Sequence, residues 1–480
     1  MSRAATCTHD RYRRCSSPAF ALRTVASVAL GLATIAALAP RGVASDHADP
    51  IDPFNKERLE GGITDLFVFP VLEDGSPAFP FNRTDGISLA TPNVEPRPPL
   101  SDEDRARIKR LIVILCVRRA LTETGGLRLE PYTYRIHMDH HTAVDFEDTP
   151  DEPKREARPD EAEAGHGYMF SATSQPAKVK RPTGSEARAR YGGRIAAPTT
   201  ISDDVTLEIG LKNDASLREF HTTGLDGGKE FVRDDKADPN KVTVWTGVRD
   251  DPFIFPAFFQ TNIVSMVISI PVSVLPKDKT DWLVWATSHS GSRQIDHVGR
   301  SLRTQNPRFE MLNTLPPNQH AKAIAEEHEN PSLLRDLALR FNFQSMFAYR
   351  AWDQVPDVMV FTTKYPVGFP NGRLLTDDVA ALLAQHGDTL LLELSHHVGG
   401  WPRRTTNDKE FLKTYPYLAE PWPDRPASPP PSLSRSNMAK LVGIAVGLLS
   451  LFVLENWLVA VLYHRRKERR RLASLARSDS

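Results

Sequence analysis

The sequence predicts a mainly β protein with an antiparallel, sandwich-like core, a few helices in its C-terminal third, an N-terminal signal segment and one C-terminal transmembrane helix. Short runs rich in β-branched and aromatic residues recur between turn signals, and helical spacing is rare before about residue 318. The chain contains 38 prolines against 27 glycines, which favours edge strands and loops over long helices. The two ends are apolar segments flanked by basic residues.

Residues 1–44 have the features of a secretory signal. Several arginines precede the apolar run 24–39, and the small residues Gly42, Val43 and Ala44 precede Ser45 as a cleavage site. The same pattern fits an N-terminal anchor that is not cleaved. Both interpretations place the predicted β-rich domain, residues 45–420, on the outer side of a membrane.

The segment 437–463 predicts a transmembrane helix. The apolar stretch from Leu441 to Leu462 is long enough to span the hydrocarbon core, which takes about 20 residues. The strongly basic tail, 464–480, is placed in the cytoplasm by the positive-inside rule. The proline- and serine-rich segment 421–436 predicts an extended stalk. We therefore expect a single-pass protein of the cell membrane whose large domain is extracytoplasmic, either periplasmic or at the cell surface.

The lipid bilayer is thus the first predicted partner, and a second copy of the helix is another. Gly443 and Gly447 lie four residues apart within the span, a spacing that lets two helices approach closely. The alternative is that both glycines are simply tolerated in a membrane helix.

The elements of the body follow from its hydrophobic pattern. Strands are predicted over 63–69, 110–121, 132–139, 205–212, 241–248, 263–275 and 282–287. The run 110–121 is almost continuously apolar, as expected of a central buried strand. Helices are predicted near 102–107 and over 318–329, 332–341 and 375–385, the last with Thr376 as its N-cap.

Charge and cysteine usage exclude several kinds of function. The net charge is zero, but the body is acidic once the basic ends are set aside, which argues against nucleic-acid binding. Cys116 is the single cysteine of the body, since Cys7 and Cys15 lie in the signal segment. Zinc and iron–sulfur sites built on thiolates are therefore excluded.

The segment His137–His141 is the sharpest candidate site. On a strand, His137, Asp139 and His141 would share one face, and two imidazoles with a carboxylate can bind a divalent metal. His140 lies beside them. The alternative is an ordinary strand end exposed to water.

A second candidate site consists of carboxylates. Asp46 and Asp49 open the body, and Asp250 and Asp251 form an acidic turn between two predicted strands. If the two segments are neighbours, their oxygens suit calcium. The alternative is that these residues serve in turns and caps. No nucleophile elbow, phosphate-binding loop or dinucleotide fingerprint is present in the sequence.

An ordered set of short motifs resembles a known bacterial family. The set consists of the opening Asp46–Pro50, Thr64–Phe69, Tyr134–Asp139, Arg249–Phe253, Trp285–Thr287, Gln294–Arg300 and Gly368–Val379. Together they resemble the "domain of unknown function 4331" family. The resemblance implies an exported, β-rich domain whose activity is not settled. Here His140, His141 and Thr142 replace the Asn-Gly-Asp turn that members often carry, so a calcium role there is not implied.

Two functions remain open from the sequence. The first is a membrane-tethered binding or envelope-interaction module without catalysis of its own. The alternative is a metal-dependent extracytoplasmic enzyme, most plausibly a hydrolase, using the histidine strand or the carboxylates. The sequence names no ligand.

Overall fold

The computed structural model describes residues 47, 55–81, 99–121, 126–145, 194–195, 197–226, 231–234, 236–302, 307–329, 356–385 and 403–423. The chain divides into two compact units, Met1–Trp422 and Pro423–Ser480, and the elements below belong to the first. Within the described ranges no helix is long and apolar enough to cross a membrane. The predicted signal segment and transmembrane helix lie outside these ranges, as do the predicted tail and residues 424–436 of the stalk.

Thirteen strands are described. They are β1 (Ile63–Val71), β2 (Arg110–Val117), β3 (Tyr132–Asp139), β4 (Val144–Asp145), β5 (Arg194–Ile195), β6 (Val205–Leu211), β7 (Leu217–Thr223), β8 (Phe231–Arg233), β9 (Val242–Asp250), β10 (Asn262–Pro271), β11 (Asp281–Ser290), β12 (Arg293–Val298) and β13 (Met359–Thr362). The α-helices are α1 (Lys56–Gly61), α2 (Asp102–Arg107), α3 (Pro317–Glu329) and α4 (Val379–Gln385). Short 3₁₀ turns occupy Pro198–Thr200, Pro256–Phe258, Val272–Val274 and Pro307–Thr314.

The first sheet has five strands in the order β1-β2-β10-β9-β8. Its pairs are antiparallel except for β8 with β9, which is parallel. Every residue of β1 and β2 is buried. The almost continuous apolar run of β2 predicted a central buried strand, and β2 is covered on both faces as expected of such a run.

Later segments of the chain cover one face of this sheet. The ring of Tyr417 meets the edge of Phe69, with ring centroids 5.5 Å apart. The hydroxyl of Tyr415 donates to the carbonyl of Val267 at 2.8 Å. The guanidinium of Arg373 lies over the ring of Phe67, 4.0 Å from its centroid. These contacts leave the five-stranded sheet without an open face at its centre.

The second sheet has the order β12-β11-β3-β6-β7, with β13 also paired to β11 and all pairs antiparallel. Alternation along β3 divides its side chains between the two faces. Tyr134, Ile136 and Met138 join the main apolar cluster, while Arg135 and His137 point the other way. A separate two-stranded sheet pairs β4 with β5.

The two larger sheets share one apolar cluster. Leu66 and Val113 from the first sheet belong to it together with Ile136, Leu207 and Val284 from the second. A smaller cluster, which includes Leu283, Trp285 and Val358, covers one end of the second sheet on its other face. The prediction of a mainly β fold with antiparallel sheets and few helices is confirmed.

Helix α4 differs from its prediction. The sequence placed the helix at 375–385 with Thr376 as N-cap, but the helix begins at Val379. The side chain of Asp378 accepts from the backbone N–H of Ala381 at 3.2 Å, which is the contact of an N-cap residue. The Thr376 prediction was therefore wrong. The predicted helix at 332–341 lies outside the described residues.

The buried centre of the first sheet makes a testable prediction. Leu115 is fully buried in β2, whereas Leu121 just beyond the strand is 54% exposed. We expect Leu115→Ala to lower the free energy of unfolding by about 2–5 kcal/mol because it leaves a cavity. The matched control Leu121→Ala should change it by less than about 0.5 kcal/mol. Chemical denaturation of both variants measures the difference, and equal effects would contradict the assignment of β2 to the core.

Candidate functional site

The second sheet carries a row of polar side chains on the side away from the main core. The strand register aligns these side chains across the sheet. Thr287 on β11 lies opposite Arg135 on β3, Arg135 lies opposite Glu208 on β6, and Glu208 lies opposite His221 on β7. We call this side the polar face. It is defined by Arg135, His137, Thr206, Glu208, His221, Thr223, Thr287 and His289.

His137 is held firmly at the centre of the polar face. Its ring stacks on that of Trp285, its direct partner on β11, with centroids 5.2 Å apart and planes 10° from parallel. Its Nε2 lies 2.8 Å from the Oγ1 of Thr287, and its Nδ1 lies 3.3 Å from Oδ1 of Asp203. Both ring nitrogens therefore have a polar neighbour, and the ring plane is fixed by stacking.

Thr287 links two imidazoles. Its Oγ1 also lies 2.9 Å from Nε2 of His289. A hydroxyl has one hydrogen to donate, so at most one of the two ring nitrogens accepts from Thr287 and at least one donates to it. Thr287 is buried, so its hydroxyl orients the two rings and is not exposed as a nucleophile.

His289 is kept neutral by its surroundings. Burial is the main cause that lowers the pKa of His289, to about 4, and the neighbouring Arg135 and His137 lower it further. At neutral pH the ring therefore carries no charge. The Thr287 hydroxyl therefore joins His137 to an imidazole that is neutral at this pH.

A pocket of about 290 Å³ opens on the polar face. It is lined by Arg135, His137, Asp203, Thr206, Glu208, His221 and Thr223. Nε of Arg135 donates to Oε2 of Glu208 at 2.7 Å, so these two charges neutralise each other. Burial raises the pKa of Asp203, but the hydrogen bond and charge of His137 outweigh it and the pKa is lowered. Asp203 therefore brings a negative charge to the pocket.

A second group of ligand atoms lies where β3 ends. The side chains of His140, His141 and Asp204 offer three ligand atoms within 4.8 Å of one another. Nδ1 of His141 is 2.7 Å from Oδ2 of Asp204, and Nδ1 of His140 is 3.6 Å from the same oxygen. Burial is the main cause that lowers the pKa of His140. We call this group the histidine turn.

The structure gives the predicted metal ligands His137, Asp139 and His141 separate partners. Strand β3 ends at Asp139, so His141 lies in the following turn and not on the strand face. The carboxylate of Asp139 is buried and accepts four hydrogen bonds: from the backbone of His141, Thr142 and Ser202 and from the Thr142 hydroxyl. It therefore organises the turn. Metal binding by these three residues as one set stays a prediction.

The acidic turn is held by structural hydrogen bonds. Oδ1 of Asp250 accepts from the indole N–H of Trp422 at 2.6 Å, and its Oδ2 accepts from the Asn407 amide at 2.7 Å. Oδ1 of Asp251 accepts from the backbone N–H of Phe253 at 3.0 Å. Burial is the main cause that raises the pKa of Asp250, to about 6. These contacts attach segment 403–422 to β9, and calcium binding at this turn stays a prediction.

Asp46 and Asp49, the other predicted calcium ligands, lie outside the described residues. Their neighbour His47 is described, and its Nε2 lies 2.8 Å from Oδ1 of Asp296. Nε of Arg58 donates to the same oxygen at 2.7 Å, and the backbone N–H of Ile63 donates to Oδ2 at 2.9 Å. This buried carboxylate joins the start of the domain to β12.

Sequence reasoning missed Asp203, Asp204 and Thr287 as site residues. Asp203 and Asp204 directly precede a predicted strand, and Thr287 ends another. Alternation along the predicted strand places Thr287 on the same face as Trp285, which is part of the signal that could have identified it. The proximity of these residues to β3 depends on its pairing with both strands, and no local pattern encodes that pairing.

Compared with protein families, with curated proteins and with solved structures, the chain matches none. Its function is therefore inferred from the geometry of the described residues.

The neutral state of His289 predicts a pH dependence of stability. Because the pKa is lowered from 6.5 to about 4 in the fold, the unfolded chain takes up the proton first on acidification. Stability from this residue is complete above pH 6.5 and is lost as the pH falls towards 4, by at most about 1.4 kcal/mol per pH unit. Denaturation of His289→Gln between pH 4 and 7 should show a shallower decline than the unchanged protein.

The matched control for this experiment is His221→Gln, which alters an exposed histidine on the same sheet, 67% accessible. It measures how far replacing an exposed imidazole by an amide changes the unfolding free energy, and the effect of His289→Gln is compared with this baseline. An unaltered slope in His289→Gln would contradict the neutral assignment.

Proposed function

We propose that this chain presents a sandwich-like β domain on the outer side of a membrane, held there by the segment 437–463, and that the domain is a binding module. Its ligand site is the pocket on the polar face. The shared apolar cluster of the two sheets supports the sandwich-like arrangement. The motifs that resemble the domain of unknown function 4331 family support export.

The observation that carries the binding proposal is the contrast between the two sheets. The five-stranded sheet is covered on both faces at its centre. The six-stranded sheet instead presents charged and imidazole side chains around an open pocket. Side chains on paired strands have fixed positions, which favours a precise binding site. A pocket with a few fixed polar groups is the default candidate for a binding site.

The charges of the pocket define the class of ligand. Arg135 and Glu208 neutralise each other at 2.7 Å, which leaves Asp203 as the remaining acidic side chain of the pocket lining. Its carboxylate is about half exposed and faces the pocket beside His137. A ligand with an amine or other cationic group complements this charge. The volume of about 290 Å³ lies at the lower end of small-molecule sites, so we propose a small polar cation.

A pair of matched probes tests the ligand class. The full-length protein in detergent micelles is titrated with 1,4-diaminobutane and with 1,4-butanediol, which has the same length and no charge. We expect the diamine to bind and the diol to bind at least tenfold more weakly. Isothermal titration calorimetry measures both. Equal binding of the two probes, or binding of neither, would contradict the proposal.

Two variants complete the test. Asp203→Asn should weaken diamine binding about tenfold, equivalent to about 1.4 kcal/mol. The control Asp214→Asn alters an exposed carboxylate in the β6–β7 turn, where it accepts from Ser216. The control should bind the diamine as the unchanged protein does.

Tethering has a separate test. Cys116 is fully buried, so single cysteines can be placed on either side of the proposed span. We expect Ser434→Cys to react with a membrane-impermeant maleimide in intact cells, and Ser480→Cys to react only after permeabilisation. The unchanged protein reports any background from Cys7 and Cys15. Labelling of Ser480→Cys in intact cells would overturn the orientation.

A further inference from the structure

We propose that the histidine turn binds one divalent transition-metal ion of the zinc type through His140, His141 and Asp204. The site is separate from the pocket ligand proposed above and does not rest on it.

Strand pairing explains why these residues meet. Strands β3 and β6 are antiparallel, with Met138 opposite Val205. The turn after the end of β3 is therefore adjacent to the residue before the start of β6. His140 and His141 lie in that turn, and Asp204 is the residue before β6. The two histidines are therefore close to Asp204 in space although they are more than 60 positions from it in sequence.

The carboxylate of Asp204 is already oriented. Its Oδ2 accepts from the backbone N–H of His140 at 2.8 Å and from that of His141 at 3.2 Å. Its Oδ1 accepts from the hydroxyl of Ser202 at 3.2 Å, a contact exposed to solvent. These donors hold the carboxylate beside the two imidazole rings, and such outer contacts are what fix a metal ligand in place.

The buried ring nitrogen of His140 is a second feature that supports an ion in the histidine turn. Its side chain is 9% exposed and its ring meets the edge of Trp282, with centroids 5.4 Å apart. Nδ1 of His140 is buried and makes no hydrogen bond. It lies 3.6 Å from Oδ2 of Asp204, which is too long for a hydrogen bond. A buried nitrogen without a partner is unfavourable, and a metal ion between it and the carboxylate would supply the partner.

The distances are close to those of a coordination shell. Ligands bound about 2.0–2.2 Å from zinc lie roughly 3.3 Å apart in a tetrahedral site. Nδ1 of His140 and Oδ2 of Asp204 are 3.6 Å apart, whereas Nδ1 of His141 is at 2.7 Å from that oxygen. His141 therefore has to move outwards slightly. It is 63% exposed and has room to do so.

The donor types select the metal. Two imidazoles and one carboxylate suit zinc, cobalt or nickel, whereas calcium and magnesium prefer oxygen ligands throughout. The exposed side of His141 leaves space for water to complete the shell. Nδ1 of His141 is within hydrogen-bond distance of Oδ2 of Asp204, and the proton of that bond has to leave before a metal ion can bind. The proton transfers to Nε2 of the same ring or to bulk water when the metal takes its place.

The test uses full-length protein purified without a histidine tag, stripped with a chelator and dialysed. We expect one Zn²⁺ per chain by isothermal titration calorimetry, and visible absorption bands of bound Co²⁺ that Zn²⁺ removes. His141→Ala and Asp204→Asn should each weaken Zn²⁺ binding about tenfold or more. Asn at position 204 keeps an oxygen for the two backbone donors, so this variant should fold.

Asp214→Asn serves as the matched control, since it alters an exposed carboxylate of the β6–β7 turn that lies outside the histidine turn. It should bind Zn²⁺ like the unchanged protein. Circular dichroism confirms that each variant is folded. The proposal is overturned if Zn²⁺ does not saturate at one ion per chain, or if folded His141→Ala and Asp204→Asn bind it with unchanged affinity.

Discussion

The antiparallel pairing of β3 with β11 is the constraint on which the rest of the candidate site depends. Its register runs from Leu283 opposite Asp139 to Ser290 opposite Tyr132. In this register Tyr134 and Ile136 enter the core, while Arg135 and His137 face outwards. A slip of one residue would exchange the two sets. It would turn the apolar side chains away from the core and place a guanidinium and an imidazole inside it. The burial of the core and the composition of the polar face are therefore fixed by the same contacts.

The two sheets divide structural and chemical tasks between them. The five-stranded sheet is covered by segment 403–422, whose attachment includes the hydrogen bonds of Asn407 and Trp422 to Asp250. The buried carboxylate of Asp296 joins the start of the domain to β12 through His47 and Arg58. Asp250 and Asp296 therefore have structural roles. The polar side chains of the six-stranded sheet instead surround an open pocket, and for this reason we place recognition there.

Much of the fold was predictable because its strands have strong local patterns. β3 was predicted with its observed ends, since YTYRIHMD alternates throughout. β7 and β12 were missed, because LREFHTT and RQIDHV contain polar residues on both faces. At the site, His140 and His141 were noticed, but Asp204 is 63 residues from His141. A contact of that kind depends on strand pairing, which hydrophobic spacing does not encode. The prediction that His141 shares a strand face with His137 and Asp139 required β3 to continue beyond Asp139, but the turn begins there.

We place the ligand sites of this domain on and beside the six-stranded sheet and not at the acidic turn. Anomalous diffraction from crystals of the protein grown with Zn²⁺, measured on both sides of the zinc absorption edge, distinguishes the two positions. We expect one strong peak within bonding distance of His140, His141 and Asp204. A peak at Asp250 and Asp251 with none at the histidine turn would contradict this placement.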